Sequence, residues 1–174
     1  MKKGIACILI IIALISFCSC QMEDNMGFWS SDHDRAQNQI ENLLQAIQDK
    51  DTDLLKSLFA TKTLNELQTF DESAGKLFDY FTGSVKSYDD GAGPFVETEK
   101  EDGFVFQLME SSFDVKTDLC EYRFAMQFIT RGNADEIGIV SIYVIKAIDD
   151  VNLDYAYWGD GKFLPGIHIA IPNI

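Results

Sequence analysis

The spacing of apolar residues changes at Gly83, and that change limits the folds open to this chain. Upstream, Ala36, Ile40, Leu43, Leu44 and Ile47 fall on one stripe of a helix that begins near Asp34. Ser31 or Asp32 can cap its start, and "QDKD" ends it. Asp51 or Thr52 then opens a short helix carrying Leu54, Leu55, Leu58 and Phe59. A third helical stretch covers about residues 71–82, with Gly83 as its stop and Leu64, Leu67 and Phe70 in the bridge before it. Downstream the period is two. Helices first and long strands after predict an α+β domain.

The downstream half divides into strands over 84–90, 95–100, 104–115, 119–131 and 136–148, with a last short strand at 166–172. "GAGP" at 91–94 is a loop, "RGNAD" at 131–135 is a hairpin turn, and the acidic stretch 87–103 is a solvated hairpin region. On 119–131 one face carries Cys120, Tyr122, Phe124, Met126 and Phe128, and the other Glu121, Arg123, Gln127 and Arg131. On 136–148 the odd face carries Ile137, Ile139, Ser141, Tyr143 and Ile145. The even face carries Val140, Ile142 and Val144, so both faces of this strand are expected to be covered.

The amino terminus has a different logic. Lys2 and Lys3 precede an apolar run from Ile5 to Phe17, and then come Ser19 and Cys20. A basic end, a short apolar stretch and small residues make a secretory signal, and the run is too short to span a bilayer. "FCSCQ" at 17–21 resembles a bacterial lipobox, in which one cysteine is acylated and becomes the first residue of the mature chain. Cys20, with Ser19 before it, fits better than Cys18, which follows Phe17. This gives a signal peptide at 1–19, a lipidated tether at 20–32 and one domain at 33–174. The partner at this end is membrane lipid, through acylated Cys20, and the location is the extracytoplasmic face of the cell membrane. Cleavage there leaves Cys120 as the one unmodified cysteine, with no disulfide to form. His33 and His168 are too few and too scattered for a metal site, and no cofactor is expected. The net charge of −14 repels phosphate backbones, so nucleic acid is not an expected partner.

Helices on a strongly curved antiparallel sheet resemble the nuclear-transport-factor-like cone, a cystatin-like fold. "IENLLQAIQDKDTDLLKSLFA" at 40–60 is the kind of opening that superfamily uses. "WGDGKFLPGIHIAIPN" at 158–173, with the lipobox, resembles an uncharacterised, domain-of-unknown-function family of Gram-positive lipoproteins built on that cone. The resemblance implies a pocket inside the cone. In enzymes of the superfamily it implies an Asp, His or Tyr projecting into that pocket as acid or base.

The expected inward faces supply Cys120, Tyr122, Thr130, Ser141 and Tyr143 but no carboxylate or histidine, which weighs against an enzyme. Tyr122 and Tyr143 are candidate ligand-orienting residues, although tyrosines on a half-buried sheet are more often core. "DVNLDYAYWGDG" at 150–161 adds Asp154, Tyr155 and Trp158, aromatics beside carboxylates that suit sugar, cationic or peptide ligands. Asp150, Asn152 and Asp154 start like a calcium loop. Tyr155 and Gly161 stand where glycine and glutamate are required, so no metal is assigned. Phe28 and Trp29 are unusual in a tether. The expected function is that of a surface-anchored lipoprotein whose domain binds a small ligand or a protein, with a homodimer through the sheet face as one form. The alternative is a small pocket enzyme of the isomerase or dehydratase kind, with Asp154 as the carboxylate to test first.

Overall fold

The computed structural model describes residues 31–91, 93–150 and 164–169. The first helix, α1 (Asp32–Asp49), buries Ala36, Ile40, Leu43, Leu44 and Ile47, the stripe that its sequence predicts. Asp32 and Asp34 sit in its first turn, where the helix dipole favours negative charge. It ends without glycine. Lys50 takes a left-handed φ of 52°, and the amide of Asp51 reaches back to the carbonyl of Ala46. Asp51 then caps α2 (Thr52–Leu58) by accepting from the amide of Leu54 at 2.9 Å.

Residues 61–66, expected only to bridge, form a further short helix, α3 (Thr61–Glu66). Its first turn is tied to the turn at 132–136. The amide of Lys62 donates to the carbonyl of Asp135 at 2.8 Å, and the Lys62 ammonium meets Glu136 at 2.9 Å. These partners are more than 70 residues away, so a local pattern could not announce them. α4 (Phe70–Tyr80) buries Phe70, Ala74, Leu77 and Phe78.

Six strands form one sheet: β1 (Val85–Asp89), β2 (Phe95–Glu101), β3 (Phe104–Thr117), β4 (Glu121–Arg131), β5 (Gly138–Lys146) and β6 (Gly166–Ile169). β3 is the long central strand. On one side it pairs with β2 along its first half and with β1 along its last four residues; on the other it pairs with β4. β5 follows β4, and β6 forms the far edge. The sheet is open and mixed. The expectation of an all-antiparallel sheet is corrected at β6, which runs parallel to β5 because the chain crosses back between Lys146 and Gly166 instead of turning in a hairpin.

A bulge at Val140 makes a second correction. Gln127 faces Ser141 and Phe128 faces Ile139, so β5 gains one residue and its parity flips. Ile139, Ile142 and Val144 therefore share the face that packs on the helices, all at 0 % exposure. Val140, Ile142 and Val144 do not form an apolar outer face. Cys120 is also displaced from the strand face expected for it. It lies in the turn before β4, where the Thr117 hydroxyl oxygen accepts the amides of Leu119 and Cys120.

The core lies between the helices and one face of the sheet. Met109, Phe113 and Val115 of β3 join Tyr122, Phe124, Met126 and Phe128 of β4, against the buried stripes of α1 and α4 and against Leu55 and Phe59. Each large side chain so buried contributes about 1.5–3 kcal/mol.

Candidate functional site

The interior between helices and sheet is filled, and Tyr122 is part of the filling. Its ring stacks on Phe81 at 4.6 Å between centroids and is 0 % exposed. Its hydroxyl accepts from the amide of Thr82 at 2.8 Å and donates to the carbonyl of Tyr80 at 3.1 Å. Tyr80 does the same work next door, accepting from the amide of Lys146 at 2.9 Å; burial, as the largest cause, holds its phenol above the usual value.

Tyr143 stands on the other face. Sequence parity places Tyr122 and Tyr143 together; the bulge separates them. Opposite Tyr143 on β6 is His168, and the two rings stack at 4.5 Å. Three side chains converge on the peptide of Leu164. The Tyr143 hydroxyl accepts from its amide at 3.1 Å, the His168 Nε2 lies 2.8 Å from its carbonyl oxygen, and the Ser141 hydroxyl donates to that same oxygen. A carbonyl only accepts, so this contact places a proton on Nε2 of His168. Serine and histidine here both hold one carbonyl. Neither is bonded to the other as a nucleophile and base would be.

A second anchor lies one step along the same outer face. Arg123 on β4 donates to Asp150 at 2.9 Å and lies 3.6 Å from Asp114 on β3. Asp150 is buried, so its charge is matched where water cannot reach. Asp150 and Leu164 both lie in the connection from β5 to β6, and both are fastened to the outer face. Asp154, Tyr155 and Trp158 lie between them, outside the described residues, as does Cys20.

A third polar group was not legible as a site. Gln107 sits on the helix-facing row of β3, 6 % exposed. It accepts from Thr130 at 2.7 Å and from Arg35 of α1 at 3.3 Å, and donates to Thr98 of β2 at 3.3 Å. The signal available was a glutamine on the row that also carries Met109, Phe113 and Val115 inward, alongside the smaller polar Ser111 and Thr117. Its partners come from three other elements.

The hollows on the surface are lined by none of Tyr122, Tyr143, His168, Arg123 or Gln107. One, of about 610 Å³, lies between α4 and β6, lined by Lys76, Asp79, Tyr80, Ile167 and Ile169. Another, of about 620 Å³, lies beside the β3–β4 turn, with Leu119, Cys120 and Ile148. Among the described residues no three His, Cys, Asp or Glu side chains are grouped to hold a metal, and no helix is long and apolar enough to cross a membrane.

None of the curated proteins matches the chain. A family does match, over residues 42–147, from the middle of α1 through the end of β5. With more than half its length inside that match, the chain belongs to the family described as "Domain of unknown function (DUF5104)".

Proposed function

We propose that this chain is an extracytoplasmic lipoprotein, held at the cell membrane by acylated Cys20, whose α+β domain is an interaction module that works through the outer face of its sheet. The finer description of the domain, a nuclear-transport-factor-like cone, belongs to the same proposal; helices stacked on one sheet face support it. One observation carries the reading. The space a small ligand would take in such a fold is occupied by Tyr122, Phe124 and Met126, each at 1 % exposure or less. The opposite face instead presents a pattern of charges and rings. Two acyl chains on a terminal cysteine suffice for stable anchoring, and a domain this acidic gains nothing from an anionic lipid surface.

The anchor is tested by growth of a bacterium expressing the full chain with labelled palmitate. Wild type and Cys18→Ser should incorporate label, and Cys20→Ser should not. Label lost only in Cys18→Ser moves the acylated position, and no label in any of them removes the anchor. The interaction is tested by a photo-crosslinker at Ser112, exposed on the outer face, against one at Ser57, exposed on α2. A discrete adduct from position 112 alone supports the module; equal yields from both positions, or none, oppose it.

A further inference from the structure

The outer face of the β2–β3 hairpin carries two facing rows. On β2, Glu97, Glu99 and Glu101 point the same way, about 6.7 Å apart. Directly across on β3 stand Leu108, Phe106 and Phe104. The hairpin is closed by Asp102 and Gly103, both at positive φ, 47° and 85°, which gives the tight two-residue turn that holds the rows in register. Phe95 and Phe104, at the two ends of the ladder, are 66 % and 47 % exposed. The three glutamates are exposed, and among the described residues none of them enters an ion pair.

β2 is also an edge. Among the described residues it pairs with β3 alone, and it contains no proline. Such an edge presents main-chain donors and acceptors to any strand that its side chains will tolerate. A second copy of β2 is not tolerated: laid antiparallel about Thr98, it would set Glu97 against Glu99 twice over. A cationic strand is favoured by the same charges. Phenyl rings beside carboxylates also suit arginine and lysine, whose heads meet the carboxylate while stems or guanidinium planes lie on the ring.

Resting on the interaction-module reading, we infer that the open edge of β2 accepts an extended, basic segment of a partner protein by strand addition. Lysine or arginine at every second position meets Glu97, Glu99 and Glu101 on the outer face, and Phe95 and Phe104 flank the ends of the added strand. Main-chain bonds supply the pairing, and the charge ladder sets register and selects the partner.

The test is fluorescence anisotropy with the full chain in detergent and a labelled peptide that alternates lysine and valine. Two further probes have the same composition: one with lysines and valines in separate blocks, the other alternating but N-methylated at every second amide. The alternating peptide should bind, weaken as salt rises, and weaken about tenfold or more to the combined variant Glu97→Gln, Glu99→Gln, Glu101→Gln. The block and N-methylated peptides should bind the wild type at least tenfold less well, because they lose the register and the main-chain bonds. Equal binding to wild type and variant overturns the ladder, and equal binding of the N-methylated peptide overturns strand addition. Self-association of the chain that the peptide cannot compete away assigns the edge to a second copy and overturns the inference. Cross-linking from Ser112 in the variant separates this inference from its parent. Anisotropy that fails while the Ser112 adduct survives removes only the β2 assignment; no adduct from wild type removes the interaction module itself.

Discussion

At Tyr122 one hydroxyl answers the amide and the hydroxyl of Thr82 and the carbonyl of Tyr80, groups at the end of α4. A tyrosine so engaged has no hydrogen bond left for a ligand, and the phenol that made it a candidate site residue makes it a core residue. Tyr88 is the opposite case. It lies on the same side of the sheet but near its edge, where its hydroxyl donates to Glu41 of α1 at 2.9 Å. Burial, then the hydrogen bond to Glu41 and that carboxylate's charge, push its phenol up to about 12. The folded value is thus above the unfolded value of 10.0, so unfolded chains lose this proton first as pH rises. The stabilisation is complete below pH 10 and disappears as pH climbs toward 12. Alkaline unfolding followed by tyrosinate absorbance should therefore show a steeper loss of stability across that window in wild type than in Tyr88→Phe. Identical slopes would remove Tyr88 from the account.

At the scale of elements, the decisive junction is the crossing of residues 59–60 over the start of β5. Phe59 bridges to Ile139, and the amide of Ala60 donates to the carbonyl of Ile139 at 3.0 Å. Gly138 makes that approach feasible. Its φ is 129°, and a Cβ there would lie 2.6 Å from the amide nitrogen of Ala60 and 2.8 Å from the carbonyl carbon of Phe59. Both atoms are backbone and cannot swing aside. Gly138→Ala should cost at least about 1 kcal/mol in urea unfolding, and should speed amide exchange at Ala60 and Lys62 more than at Leu43. A variant as stable as wild type would mean the crossing is looser than these distances imply. The residues at 131–135 are legible as a turn, but nothing local calls for a glycine three residues later. The reason is a strand segment from almost 80 positions upstream.

For the whole molecule, charge and topology set the behaviour. The net charge of −14 is spread over a surface whose ion pairs are mostly exposed and individually weak. Self-repulsion should outweigh them, so raising salt from about 0.01 M to about 1 M, which shortens the screening length from about 30 Å to about 3 Å, should raise the urea midpoint. A midpoint that falls with salt would show that the pairs matter more than the repulsion. The sequence alone determined the class of this protein: the helical stripe of α1, the Asp51 break and the row of Tyr122, Phe124, Met126 and Phe128 on β4 are short-range patterns whose residues are the buried ones, although Ala125 and Gln127 on the other face of β4 are buried as well. Tertiary structure alone decided which face of β5 is core, which way β6 runs, and that Tyr143 and His168 meet over Leu164 while Tyr122 is sealed away. A single bulged residue inverts every side chain beyond it, and a crossover sets strand direction without changing the strand's own pattern. Both depend on partners distant in sequence, so alternation within one strand cannot encode them.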